Sequence, residues 1–137
     1  MKVEVFVLCD AATDSQGKLN ILGTFDQIYA SSLPVVHPAC AVALRLRFDK
    51  MEEGTHKVGL QLVDPDGRPV FQAMEGEVHP RMGVEIDSVA VNLILNFQGI
   101  KFDAFADYQI NLFVNEKNEA SLPLHIRKIP PRPENIG

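Results

Sequence analysis

Apolar and polar residues alternate with a period of two along almost the whole chain, the spacing of half-buried β-strands. Val3, Val5, Val7 and Cys9 fall on one face of a first strand, with Glu4, Phe6 and Leu8 on the other. Both faces are largely apolar, so this strand is expected to be covered on both sides or to lie at a partner surface. Asp10–Gly17 reads as a loop. Lys18–Phe25 reads as a second strand, in which Gly23 marks a bulge or a close backbone approach. Residues 30–39 hold Pro34 and Pro38 and are expected to be a connection crossing between sheets rather than a central strand. Val42, Leu44, Leu46 and Phe48 then alternate with Ala43, Arg45 and Arg47, a strand with one wet face.

The second half repeats the pattern. Met51–Thr55 is a charged loop, and Val58, Leu60 and Leu62 begin a hairpin. Its turn, Asp64-Pro65-Asp66-Gly67-Arg68, has a proline that pre-sets φ and a glycine free to take positive φ; Val70–Val78 returns as the partner strand. After a loop at His79–Gly83, Val89, Val91, Leu93, Leu95 and Phe97 define a long strand. Gly99–Asp107 connects, with a short helical turn expected within 99–106. Tyr108, Ile110, Leu112 and Val114 form the next strand, and Glu116–Glu119 turns the chain. Leu122, Leu124 and Ile126 close the domain, and Pro123 among them predicts an edge strand.

About eight strands without an amphipathic helix predict an all-β fold, an antiparallel β-sandwich of Greek-key type. The 137 residues suffice for one core. The sandwich is expected over residues 1–128. Residues 129–137, with Pro130-Pro131-Arg132-Pro133, form a Pro-rich tail that reads as a spacer or as an arm on a neighbouring subunit.

Charge changes the picture by exclusion. With 13 basic and 18 acidic groups the net charge is −5, which disfavours nucleic acid and anionic membranes as partners. Apolar runs such as Val5–Cys9 are far below the ~18 residues of a membrane span. Glu4 and Asp10 interrupt the start where a signal peptide needs its apolar region, so a cytoplasmic protein is expected. Cys9 and Cys40 are too few for a disulfide framework or a metal quartet and read as small buried hydrophobes, the alternative being a bridge between two strands.

Candidate chemistry is thin. His37, His56, His79 and His125 share no metal-ligand spacing, and His37 and His79 each precede a proline in a loop. Asp10, Asp14, Asp64 and Asp66 would suit calcium only if their loops met at one end of the sandwich; as turn residues they bond their own backbone. Arg45 and Arg47 share one strand face and could hold a carboxylate or phosphate, or pair with an acid on the next strand. There is no Gly-x-Ser-x-Gly elbow and no phosphate-cradling loop. No catalytic, cofactor or metal residue is assigned.

Two stretches carry resemblances. Phe105-Ala106-Asp107-Tyr108-Gln109-Ile110-Asn111-Leu112 resembles the entry to a late strand of immunoglobulin-like sandwiches, with Ala106 where that pattern has glycine. Val5–Ala12 and Gly17–Asp26, together with the Asp64–Gly67 turn, are similar to a group of small bacterial proteins without an assigned function. That resemblance implies a bacterial stand-alone sandwich domain and no particular activity.

The remaining signal is an excess of apolar residues on nominally outer phases: Phe6, Leu8, Leu22, Phe71, Ile94 and Phe113. Such residues lie under loops or form a partner surface, and a two-fold self-association is the commonest cover. The expected function is therefore a non-enzymatic binding or assembly domain that forms a homo-oligomer. The alternatives are a calcium- or ligand-binding sandwich and a small enzyme with a pocket between its sheets.

Overall fold

The computed structural model describes residues 1–130, which build two sheets around a shared apolar core. The strands are β1 (Lys2–Ser15), β2 (Lys18–Thr24), β3 (Gln27–Ala30), β4 (Val35–Asp49), β5 (His56–Val63), β6 (Met74–Val78), β7 (Ser88–Phe102), β8 (Asp107–Val114) and β9 (Lys117–Lys128). One sheet runs β2-β1-β4-β7 and the other β3-β9-β8-β5-β6. All pairings are antiparallel except β3 with β9. The sandwich class stands, with nine strands among the described residues; β3 is the strand that the alternation did not announce.

The inner face is read correctly for β4, β5, β8 and β9. Val42, Leu44, Leu46 and Phe48 meet Val58, Leu60, Leu62, Ile110, Leu112, Leu124 and Ile126 between the sheets, all at most 3% exposed. Tyr108 closes one end. Its ring packs edge-on against Phe102 at 5.0 Å, and its hydroxyl donates to the Ala104 carbonyl at 3.0 Å. Tyr108→Phe keeps the ring and loses the tie, so unfolding in urea followed by far-UV circular dichroism should show a loss of about 1 kcal/mol. An unchanged midpoint would remove the corner tie from the account of stability.

Several boundaries and phases differ from expectation. The register of β1 on β4 shifts between Val3 and Val5. This bulge keeps Glu4 on the outer face beside Arg45 and Arg47, and it moves Val3 to the core face with Phe6 and Leu8. Phe6 and Leu8 are thus core residues. Asp10–Ser15 is not a loop but the continuation of β1, which pairs with β2 from Cys9 to Ser15. Gly23 sits opposite Asp10 at φ 67°, and a Cβ there would stand 2.6 Å from Asp10 Oδ2, the close approach expected of it.

Proline also proves less decisive than its missing N–H suggests. The crossing connection shrinks to Ser31–Pro34, and Pro38 lies inside β4. It is tolerated because β1 pairs with β4 only from Ala41 to Arg47, so β4 is locally an edge at Pro38. Pro123 does not make β9 an edge strand, since β9 runs between β8 and β3. There β3 covers only His125–Lys128, and Pro123 again meets a locally open side. No α-helix occurs among the described residues: Gly99–Phe102 ends β7, and one 3-10 turn at Lys50–Glu52 is capped by Asp49. The partner strand expected over Val70–Val78 is regular only from Met74. The turn before Lys117 is Asn115-Glu116, both at positive φ, and β9 starts earlier than expected. The tail beyond Pro130 lies outside the described residues.

Candidate functional site

Among the described residues, the strand β7 occupies one end of its sheet, and along its whole length it pairs with β4 alone. From Ser88 to Ile100 it carries no charged side chain, with Asp87 and Lys101 standing just outside that run. Among the described residues, none of the backbone hydrogen bonds outside the strand ladders involves residues 88–102. Among the described residues, one row of N–H and C=O groups of β7 is therefore left without a strand partner. Natural sheets usually blunt such an edge with charge, proline or a short strand, because it templates pairing with another strand. Here the strand is fifteen residues long, and Ser88–Gln98 within it carries neither charge nor proline.

Both faces of this strand are half-buried. On the core side, Val91 and Leu93 pack against the main cluster, and Phe97 meets Phe71 edge-on at 5.7 Å. That contact explains Phe71, which covers the sandwich corner from the segment before β6. An open cleft of about 340 Å³ lies between Phe71–Met74 and the exposed Asn96 and Gln98.

On the outer face, Ile94 lies under the β1–β2 hairpin, which folds across the sheet. Cys9, Ala41 and Ala43 are fully buried there, with Val7, Ala12, Leu19 and Ile94 around them. The small side chains of Ala41 and Ala43 under the hairpin let its backbone lie close, which is why β1 is apolar on both faces. The tip is held by polar groups. The Gly17 carbonyl accepts from Arg45 Nη1 at 3.5 Å and Asn92 Nδ2 at 3.1 Å, and Asn92 Nδ2 also donates to Asp14 Oδ2 at 3.1 Å.

The two arginines are engaged within the chain. Arg45 Nε donates to Glu4 Oε1 at 3.1 Å and Arg47 Nε to Glu4 Oε2 at 2.8 Å; Arg47 Nη1 also donates to Ser88 Oγ at 3.0 Å. Hydrogen bonding to Arg47 foremost, then its charge and Arg45, holds the Glu4 carboxyl below the usual carboxylate value. The pairing reading of Arg45 and Arg47 holds, and together they brace the hairpin beside the open edge.

The other sequence candidates are scattered. Asp14 accepts from Gly17 N and Asp64 from the N–H groups of Asp66 and Arg68, all at 2.9 Å, so both are turn residues. Among the described residues no three of His, Cys, Asp and Glu gather as metal ligands, and the four aspartates are not brought together. His37 stacks beside Phe25 at one end of β4, while His79 bonds Thr55 Oγ1 beyond the other, so they do not meet. Cys9 faces outward and Cys40 faces the core from the neighbouring strand, which keeps both thiols free. Burial pushes the Cys40 thiol up to about 11, so it stays protonated at neutral pH. The interior void between Cys40, Phe102, Ile110 and Leu124 measures about 10 Å³, short of a substrate's volume.

Two features of the second sheet's outer face were not singled out by the sequence as sites. Gly59 leaves a shallow groove of about 300 Å³ between Phe113 and Met74–Glu75, which accounts for Phe113 on an outer phase. Asp107 accepts from His125 Nδ1 and Arg127 Nη2, both at 2.7 Å; these bonds, His125 first, lower its pKa. The partners of that cluster are two residues apart on β9, a spacing that only the β8–β9 register makes meaningful. Of the outer-phase residues, Leu22 remains the one that is plainly exposed, at 69%.

A family described as one of unknown function (DUF6941) matches the chain over residues 4–127. No curated protein matches it.

Proposed function

The chain belongs to this family, whose function is unknown, and we propose from its own surface that it is a non-enzymatic binding or assembly domain that self-associates. The observation that carries this reading is the open, uncharged edge of β7. An exposed strand edge supplies a directional backbone contact, and the half-buried Val91 and Leu93 beside it supply apolar area. The polar cluster beside this edge, Glu4, Arg45, Arg47 and Asn92, is engaged in hydrogen bonds across β1, β4 and β7.

The finer fold reading supports the same edge. We read the sandwich as immunoglobulin-like: β4 stands beside β7 as strand B beside E, and β9-β8-β5-β6 follows G-F-C-C′. Tyr108 takes the place of the corner tyrosine. Ile110, two residues on, stands where antibody domains carry their second inter-sheet cysteine, and it lines the same void as Cys40. The constant-type sheet adds a strand D outside E; no described strand takes that place here, and the omission leaves β7 open. We further read the protein as bacterial and cytoplasmic, a setting that suits two free thiols. In this reading residues 1–128 are the associating sandwich and residues 129–137 its tail.

Size exclusion with light scattering over a dilution series tests the proposal. The expected result is a dimer of twice the 15.2 kDa chain mass that dissociates on dilution. A chain that keeps the monomer mass at every micromolar concentration sinks it.

A further inference from the structure

Resting on that reading, we infer that the partner at β7 is a second copy of this chain, paired antiparallel about a two-fold axis at Ile94. The row of free N–H and C=O groups asks for a strand. Which strand follows from charge. Asp87 and Lys101 are each seven residues from Ile94 and bracket a run without charges. With the axis at Ile94, Asp87 of each copy lies at the end held by Lys101 of the other, so both charges of each strand meet their opposites. An axis at Leu95 sets Asp87 against Asp103 of the other copy, and one at Leu93 sets it against Gly99.

The same register matches side chains. A two-fold perpendicular to the sheet keeps both core faces on one side. Val91 then stands opposite Phe97, and Leu93 opposite Leu95, on the core face; Asn92 stands opposite Asn96 on the outer face. Half-buried Val91 and Leu93 gain cover, and the sheet becomes continuous as β2-β1-β4-β7-β7-β4-β1-β2. Gly99, at φ 65°, departs from extended strand backbone, which limits close pairing to Ala90–Gln98 and leaves Asp87 and Lys101 as flanking charges. Asp87 is exposed, with only its backbone carbonyl engaged by Lys50 N; Lys101 is exposed, with Asp103 3.7 Å away.

Dimer dissociation constants from dilution by light scattering test the register, using full chains of the natural sequence, Asp87→Lys, Lys101→Asp and the double reversal. Each single reversal faces like charges twice per dimer, and about a tenfold weakening is expected; the double reversal restores affinity close to the natural value. Both positions are exposed, and unchanged circular dichroism and melting of each variant as monomer confirm that folding is intact. A natural chain that dimerises while ignoring the reversals, or a double reversal that weakens as much as the two singles combined, overturns the register and leaves the edge reading standing. A natural chain that never dimerises overturns both.

Discussion

Replacing Phe102 with alanine lowers the unfolding free energy by about 3–5 kcal/mol. Phe102 is fully buried, packs edge-on against Tyr108 and forms one wall of the interior void. The lost ring removes transfer free energy, and it enlarges a space whose other walls belong to both sheets, so neither can collapse into it alone. A domain of this size holds about 5–15 kcal/mol in all, and the variant is left near the threshold of folding. The chain has no Trp, so urea unfolding is followed by far-UV circular dichroism at fixed protomer concentration. The midpoint should fall with the slope unchanged. A loss below about 1 kcal/mol would mean that the sheets can close over the gap instead of holding their spacing.

Ala43→Leu acts on the other face of the same sheet, by excess rather than deficit. Ala43 has no exposed surface, and the β1–β2 hairpin lies directly over it with Cys9 and Ala41. Extra methyl groups in a filled site cost about 1–3 kcal/mol. The weakest restraint gives way first, and that is the hairpin, whose tip is held by a few surface hydrogen bonds from Arg45 and Asn92. Amide exchange should therefore speed up in Leu19–Thr24 while β5, β8 and β9 stay protected. Uniform loss of protection across both sheets would show that the hairpin is part of the main cooperative unit.

The candidate edge is half legible before folding. The uncharged run Ser88–Ile100 and its bracketing charges are plain in the sequence, as is the double apolar pattern of β1. That β7 ends a sheet is not, because its one neighbour comes from residues 35–49 and no described strand lies on its other side, both long-range facts. The same gap misplaced Pro38 and Pro123. Their missing N–H groups matter only where a neighbour strand asks for them, and neighbour strands stop short at both positions.

By itself the sequence determined the period of two, and with it the sandwich class, the core face of β4, β5, β8 and β9, and the Asp64–Gly67 turn. These follow from side-chain alternation and local turn chemistry, which each short segment carries alone. Only the tertiary structure decided that a bulge at Glu4 reverses the phase of β1, that the hairpin roofs Ala41 and Ala43, and that β7 is left open. Those depend on which strands become neighbours, and that choice is made by the whole core at once rather than by any one stretch of residues.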